Sequence, residues 1–234
     1  MRSIVRKELR QVFHSMTGYA FVAMFLCVSG AIFVTGNLFS QQGQIAVFFS
    51  SLSSLLLYLI PILTMRLYAE ERKQKTDELL LSAPVSIAAV MLGKFLAAFI
   101  VFLIPLAGTL VYPAILYAYG FFEPMTVAGC YAGCMLLAAA LIAVGQFISV
   151  MTDSQFVAAI VTYSVFSLTA IAGSAASAVS DAWLSAVLRF VALVAHTSGF
   201  SYGVFNLAEA VYYVSITALF LFASVYVLQR KRVA

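Results

Sequence analysis

The sequence predicts an all-α integral membrane protein with six transmembrane helices, and three observations lead to that prediction. Hydrophobic residues make up 64% of the chain and charged residues only 9%, which lies far outside the range of soluble domains. The apolar residues form six long runs, each able to supply the roughly 20 residues that cross a ~30 Å hydrocarbon core. Short polar segments separate the runs, so residues 1–234 are interpreted as a single transmembrane domain.

The first 16 residues predict an amphipathic helix on the membrane surface. Apolar side chains such as Ile4, Leu9 and Val12 form a stripe, and cationic residues fill the positions between them. This pattern is typical of a helix at an anionic membrane face, although a merely basic tail is the alternative. The apolar stretch from Gly18 to Phe39 is too long for a signal peptide and no cleavage site follows it, so we expect a retained first span.

The third predicted span is longer than a simple crossing needs, which indicates an interfacial turn or a strong tilt. Pro61, Pro105 and Pro113 fall inside spans two and three, where each removes a backbone donor and is expected to kink its helix. The six spans are predicted at residues 18–39, 47–68, 88–119, 125–151, 154–179 and 207–229.

Small residues inside the spans predict close helix packing. Gly129 and Gly133 form a G-x-x-x-G pair, and Gly173 begins the same spacing in span five; such pairs favour close contact without showing which helices meet. Cys130 and Cys134 lie one helical turn apart. They could hold a soft metal, but packing as small hydrophobic side chains is the interpretation we favour.

The distribution of lysine and arginine predicts the orientation. With the N-terminus inside, twelve of the thirteen Lys and Arg residues fall on the cytoplasmic side and only Arg189 falls outside. The positive-inside rule therefore predicts a multi-pass protein of the cytoplasmic (inner) membrane with both termini cytoplasmic.

The external connection at 181–205 contains the apolar sequence DAWLSAVLRFVALVAH. A helix from Trp183 to His196 would be only about 21 Å long at 1.5 Å per residue, too short to cross. We therefore predict an outer interfacial or re-entrant helix, and a seventh span is the alternative.

The loop between spans two and three is the most polar part of the chain, RLYAEERKQKTDELLLSAPVS at 66–86. Thr76 can cap a short helix whose first turn holds Asp77 and Glu78, where acidic side chains are favourable against the helix dipole. Such a loop is ordinarily a solvated connection between spans.

Three consecutive leucines in this loop favour a docking site for a soluble partner instead. Leu79–Leu81 need to be buried, Pro84 ends the short helix, and Ser86 can cap the third span. These signals predict a helix across the cytoplasmic face that is apolar on one side.

The ionisable residues exclude several function classes. Apart from Arg66 and Lys94, whose long side chains can snorkel to the inner interface, the spans lack the central charges that a proton- or sodium-coupled carrier uses. Gly93-Lys94 lacks a glycine-rich phosphate loop, so an ATP-driven mechanism would need a second chain. His14 and His196 are isolated, which indicates no enzyme chemistry, and no basic run with aromatics indicates nucleic-acid binding.

Five segments resemble the permease subunits of ABC type-2 transporters, and they are especially similar to the gliding-motility-associated branch. The resemblance covers nearly the whole chain, and the 61–86 block is its most specific part. The segments are PILTMRLYAEERKQKTDELLLSAPVS at 61–86, RKELRQVFHSMTGYAFVAMFLCVSG at 6–30, LGKF at 92–95, GQFISVMTDSQFVAAI at 145–160 and LAEAVYYVSITALFLFASVYVLQRKR at 207–232.

The resemblance implies an elbow helix at 1–16, a coupling helix at 70–86 and an outer gate at about 181–205. It also implies that two permeases, identical or paralogous, sit on two ATPase subunits that bind the ATP and Mg, with no cofactor in this chain. The implied coupling residues are Glu70, Glu71, Arg72, Thr76, Asp77, Glu78, Leu79, Leu80, Pro84 and Ser86, with a second cytoplasmic contact at Thr152, Asp153 and Gln155.

The favoured hypothesis is a non-enzymatic permease subunit of an ATP-driven exporter, embedded in the lipid bilayer, that moves a hydrophobic or amphiphilic substrate. A force-transmitting scaffold of an ABC complex is one alternative, and an ATP-independent carrier or channel is another. The outer segment carries no recognisable substrate motif, so a role in gliding does not follow from the resemblance.

Overall fold

The computed structural model describes residues 2–14, 16–40, 43–69, 86–119, 123–179, 181–201 and 206–233. Over these ranges all regular secondary structure is helical. The helices are α1 (Arg2–His14), α2 (Met16–Phe33, continued by a π-helical turn, Val34–Phe39), α3 (Ile45–Thr64), α4 (Ile87–Gly108), α5 (Val111–Ala118), α6 (Pro124–Met151), α7 (Gln155–Ala178), α8 (Ala182–Val191, followed by a 3₁₀ turn, Leu193–Thr197), α9 (Ser198–Ser201) and α10 (Leu207–Val233).

Six of these segments are long and apolar enough to cross a membrane, which confirms the predicted fold class. Each lies within a few residues of its predicted range. They are Gly18–Phe39, Ile45–Thr64, Ile87–Ala118, Pro124–Met151, Gln155–Ala178 and Leu207–Arg230.

The long third span is divided into α4 and α5 by a turn at Thr109 and Leu110. Pro113 accounts for the break, because its nitrogen cannot donate to the carbonyl of Thr109 and its ring crowds that carbonyl. The amide of Tyr112 bonds Thr109 O at 2.9 Å instead, in a tighter turn. In contrast, α3 continues through Pro61 to Thr64.

The core is built around α6. Within its most apolar window 72% of residues are buried, against 17% for α7 and for α10. Small residues let neighbouring backbones approach α6 closely: a Cβ added at Gly145 would lie 2.4 Å from Thr64 Oγ1 of α3. The helices at the periphery therefore present most of their apolar surface outward, as expected of a membrane protein.

Because successive spans alternate in direction, the connections collect at two ends of the bundle. The basic end, as we call it, carries α1, the ends of α3 and α4 that flank residues 70–85, the α6–α7 turn and the end of α10. The opposite end carries the ends of α2, α3, α5 and α6 that flank their connections, together with residues 181–201 and the start of α10. Among the described Lys and Arg residues, only Arg189 lies at the opposite end.

Residues 181–201 form a bent segment rather than a straight span. The axis of α8 and that of Leu193–Phe200 differ by 80°. Trp183 in α8 is 74% exposed, whereas Leu193 and Phe200 are buried, and the hydroxyl of Tyr213 in α10 donates to Leu193 O at 2.6 Å. The second half of the segment thus enters the bundle while α8 stays outside it.

Candidate functional site: the base of the 70–86 loop

Most of the residues predicted to couple to an ATPase lie outside the described residues, namely Glu70, Glu71, Arg72, Thr76, Asp77, Glu78, Leu79, Leu80 and Pro84. Ser86 is described, and it is exposed at the N-cap position of α4. Its carbonyl accepts from the amide of Ala89 at 3.0 Å, but its side chain makes no capping bond to the first turn. The predicted hydroxyl cap is therefore wrong, although the helix begins where expected.

Lys94 lies near the start of α4, close to where the loop rejoins the bundle, and is only 1% exposed. Its Nζ lies 3.1 Å from Glu8 Oε1 and donates to Leu67 O at 2.8 Å. The expectation that Lys94 snorkels is wrong, because α1 and the end of α3 supply its partners inside the protein. A buried charge needs such partners to offset its desolvation.

Glu8 reaches Lys94 because of the way α1 packs. At 100° per residue, Glu8 lies on the same side of α1 as Ile4 and Val12, and it is buried. That side meets α4, where a Cβ added at Gly93 would lie 2.8 Å from Ile4 Cγ2. The apolar stripe predicted to rest on the membrane therefore rests largely on other helices.

Tyr68 extends the contacts from α3 to α6. Its ring lies 4.8 Å from Lys94 Nζ, a cation–π arrangement. Its backbone amide donates to Ser149 Oγ at 3.2 Å, and its hydroxyl contacts the sulfur of Met91. The last described residues before the loop are thus joined to both α4 and α6.

Gln146 completes this set of contacts. It is fully buried, and its Nε2 donates to Met91 O at 3.0 Å. The carbonyl of Met91 can only accept, so this bond fixes the orientation of the amide. We call the seven residues the loop-base cluster: Glu8, Leu67, Tyr68, Met91, Lys94, Gln146 and Ser149.

The predicted second cytoplasmic contact lies one turn beyond Ser149. Thr152 ends α6, and both its amide and its hydroxyl bond Ile148 O, at 3.2 and 3.0 Å. Asp153 is exposed in the turn, and Gln155 begins α7. The geometry allows this turn to be reached from outside at the basic end.

Two of the three predicted packing glycines, Gly133 and Gly173, lie against the outer segment. Gly129 and Gly133 are both buried in α6. A Cβ at Gly133 would lie 2.9 Å from Phe200 Cβ, and one at Gly173 would lie 3.3 Å from Ala192 Cβ. Both contacts are with residues 192–200 rather than with another span.

None of the seven cluster residues was predicted as a site residue, although two signals were present in the sequence. Glu8 is the only acidic residue of α1 and falls on its apolar side. Gly145 and Ser149 repeat the small-x-x-x-small spacing, and they lie against Thr64 at the end of α3 and Tyr68 just beyond it. Nothing in the local sequence indicates that Tyr68 and Gln146 meet at Met91.

The family follows from comparison with known sequences. A family model described as ABC-2 family transporter protein matches residues 31–228. The chain belongs to this family. The match supports an ABC-2 permease but not the gliding-motility branch, and no curated protein matches the chain.

Membership makes this chain a multi-pass ABC-2 permease. Such permeases are in general non-enzymatic membrane components that work with an ABC ATPase. The matched range includes the ends of α3 and α4 that flank residues 70–85, while α1 and Glu8 precede it.

Proposed function

We propose that this permease couples to a separate ATPase through residues 70–86 and exports a hydrophobic or amphiphilic substrate. The observation that supports this proposal most is the position of Lys94. It joins the two ends of the loop and α1 at one buried point, through Leu67 O and Glu8. A push on the loop would therefore act on several helices at once.

The energy of the Lys94 contact is large enough for the helices it joins to move together. Removing one partner from a buried ion pair costs about 3–5 kcal/mol, because the other charge is left without compensation. The pair therefore resists separation, and α1, α3 and α4 move together at the basic end. Tyr68 and Ser149 extend the same connection to α6.

In this mechanism the ATPase binds the ATP and Mg and closes on the coupling helix. Leu79 and Leu80 pack into the ATPase, while the charged residues from Glu70 to Glu78 add specificity more than affinity. Thr152, Asp153 and Gln155 make the second contact. The basic end lies on the cytoplasmic side of the inner membrane, as the positive-inside rule predicts.

A second permease, identical or paralogous, completes the membrane part. The largely exposed apolar surfaces of α7 and α10 leave room for another copy as well as for lipid. A pathway between two such surfaces is apolar, which favours an amphiphilic or lipid-like cargo over a small ion. The resemblance to the gliding-motility branch does not identify the substrate.

The test replaces Leu79 and Leu80 with Asp in the permease expressed together with its ATPase. We expect loss of permease-stimulated ATP hydrolysis with normal membrane insertion, because the charged side chains cannot be buried in the partner. The matched control is Leu207→Asp at the start of α10, an exposed leucine at the opposite end. Normal assembly and transport in the double variant would contradict the coupling mechanism.

Reconstitution in vesicles separates export from the alternatives. Transport that requires the ATPase supports the exporter. ATP hydrolysis without any cargo movement would favour a force-transmitting scaffold, and transport by the permease alone would favour a carrier.

A further inference from the structure

The exposed side of α1 carries a cationic face. Arg6, Lys7, Arg10 and His14 are all exposed, and at 100° per residue they fall within an arc of about 100°. Glu8, the only acidic residue of α1, lies on the opposite side and is paired with Lys94. Among the described side chains of α1, the exposed charged or titratable groups are therefore all cations or histidine.

Exposed apolar residues lie directly beside this face. Met16 is 88% exposed and Tyr19 62% exposed, and the ring of Tyr19 lies 5.7 Å from that of Phe13 in an edge arrangement. They begin the outward side of the first span, in which only 28% of residues are buried. Across a membrane interface, cationic groups lie outermost, tyrosine lies next and apolar surface lies innermost. The exposed residues of α1 and the start of α2 follow that order.

A shallow cleft lies between α1 and the spans at the same level. Its lining includes Glu8, Gln11, Arg66 and Phe21 but neither Arg6 nor Arg10, and its cavity volume is about 60 Å³. This volume is too small to enclose a lipid. A ligand with a charged head and a long chain would therefore lie outside the cleft, with its head at the cationic face and its chain along the surface of α2.

We propose that α1 and the first turn of α2 form a binding site for an anionic phospholipid. The phosphate binds Arg6 and Arg10, and an acyl chain lies along Met16 and Tyr19. An acidic protein surface would use the cations but leave the neighbouring lipid-facing residues without a role. The same argument disfavours a free phosphate ion.

The site would also stabilise the arrangement of α1. The lipid holds the outward face of the helix, while Glu8 holds its inward face against α4. This inference is independent of whether an ATPase acts on residues 70–86.

The test measures lipid retention by native mass spectrometry after exchange of the protein into equal amounts of phosphatidylglycerol and phosphatidylcholine. We expect the wild-type chain to retain phosphatidylglycerol preferentially. In the variant R6Q/R10Q the affinity of the protein for phosphatidylglycerol should fall about 30-fold, since each cation near an anionic surface contributes about fivefold to binding. R6K/R10K keeps the charge and should restore retention.

Two single variants serve as controls. Arg189→Gln removes an exposed cation at the opposite end, and Arg230→Gln removes one at the basic end on another helix; both should retain the lipid. Equal loss in Arg230→Gln would show a diffuse charge effect and overturn the site.

Two further outcomes would also overturn the proposal. Displacement of the lipid by millimolar inorganic phosphate would show an anion site without acyl contacts. Unchanged lipid retention in R6Q/R10Q, combined with loss of a co-purifying protein, would show that the face binds a protein partner.

Discussion

The ammonium group of Lys94 lies 3.1 Å from the carboxylate of Glu8, although the two residues are 86 positions apart in the chain. Lys94 also bonds Leu67 O at 2.8 Å. One buried cation thus fixes α1 against the two helix ends that flank the 70–86 loop. This contact gives the basic end of the bundle a defined geometry.

Breaking this pair from one side should destabilise the protein strongly. Glu8→Leu leaves Lys94 buried with one charged partner removed, and we expect a loss of about 3–5 kcal/mol in the free energy of unfolding. Lys94→Met should cost a similar amount, because Glu8 is then the buried charge. The measurement is unfolding in detergent followed by circular dichroism.

The double variant Glu8→Leu/Lys94→Met separates pairing from packing. Because neither charge remains, we expect it to be more stable than either single variant. Additive losses in the double variant would show that the two side chains act independently.

A second prediction concerns the closest approach of α3 and α6. In Gly145→Ala the new methyl would lie 2.4 Å from Thr64 Oγ1 and 2.8 Å from Thr64 Cβ. The helices must separate, and overpacking of this kind costs about 1–3 kcal/mol. Thermal unfolding in detergent measures the change.

The matched control for Gly145 is Gly36→Ala. No atom lies within 4 Å of a Cβ at Gly36, so we expect no loss of stability there. A loss at Gly36 equal to that at Gly145 would argue against the close α3–α6 contact.

A third prediction addresses the outer segment. The hydroxyl of Tyr213 is buried and donates to Leu193 O, so Tyr213→Phe leaves that carbonyl without this donor. A hydrogen bond inside a membrane protein contributes about 0.6 kcal/mol on average. We expect faster amide hydrogen exchange in residues 192–200, with the rest of the bundle unchanged.

Tyr226→Phe, on the same helix but 58% exposed, is the control and should leave exchange in residues 192–200 unaltered. Faster exchange in both variants would indicate a general loosening of α10.

The six spans could be predicted from the sequence because each is a local property, a run of apolar residues long enough to cross the bilayer. The division of the third span agrees with the local rule at Pro113, but the same rule also predicted kinks at Pro61 and Pro105, where the helices continue. The amphipathic character of α1 was also readable. The helices that cover its apolar side could not be predicted, because periodicity identifies a face without identifying its partner.

The loop-base cluster depends on contacts between distant parts of the chain. The position of Glu8 among apolar residues indicates a buried carboxylate. Its pairing with Lys94 could not be predicted, because that requires knowing that α1 lies against α4. The glycine spacing predicted close packing at Gly133 and Gly173, but not that residues 192–200 would be the neighbours. The coupling helix at 70–86 stays a prediction.

The last prediction tests which side of the membrane the basic end faces. Cys27 is exposed, so single cysteines are introduced after Cys27, Cys130 and Cys134 have been replaced by Ala. The positive-inside rule predicts that Lys73→Cys reacts with an impermeant maleimide only after the cytoplasmic side is opened. Arg189→Cys, at the opposite end, should react in intact cells. Labelling of position 73 from outside intact cells would place the 70–86 loop where no cytoplasmic ATPase could act on it.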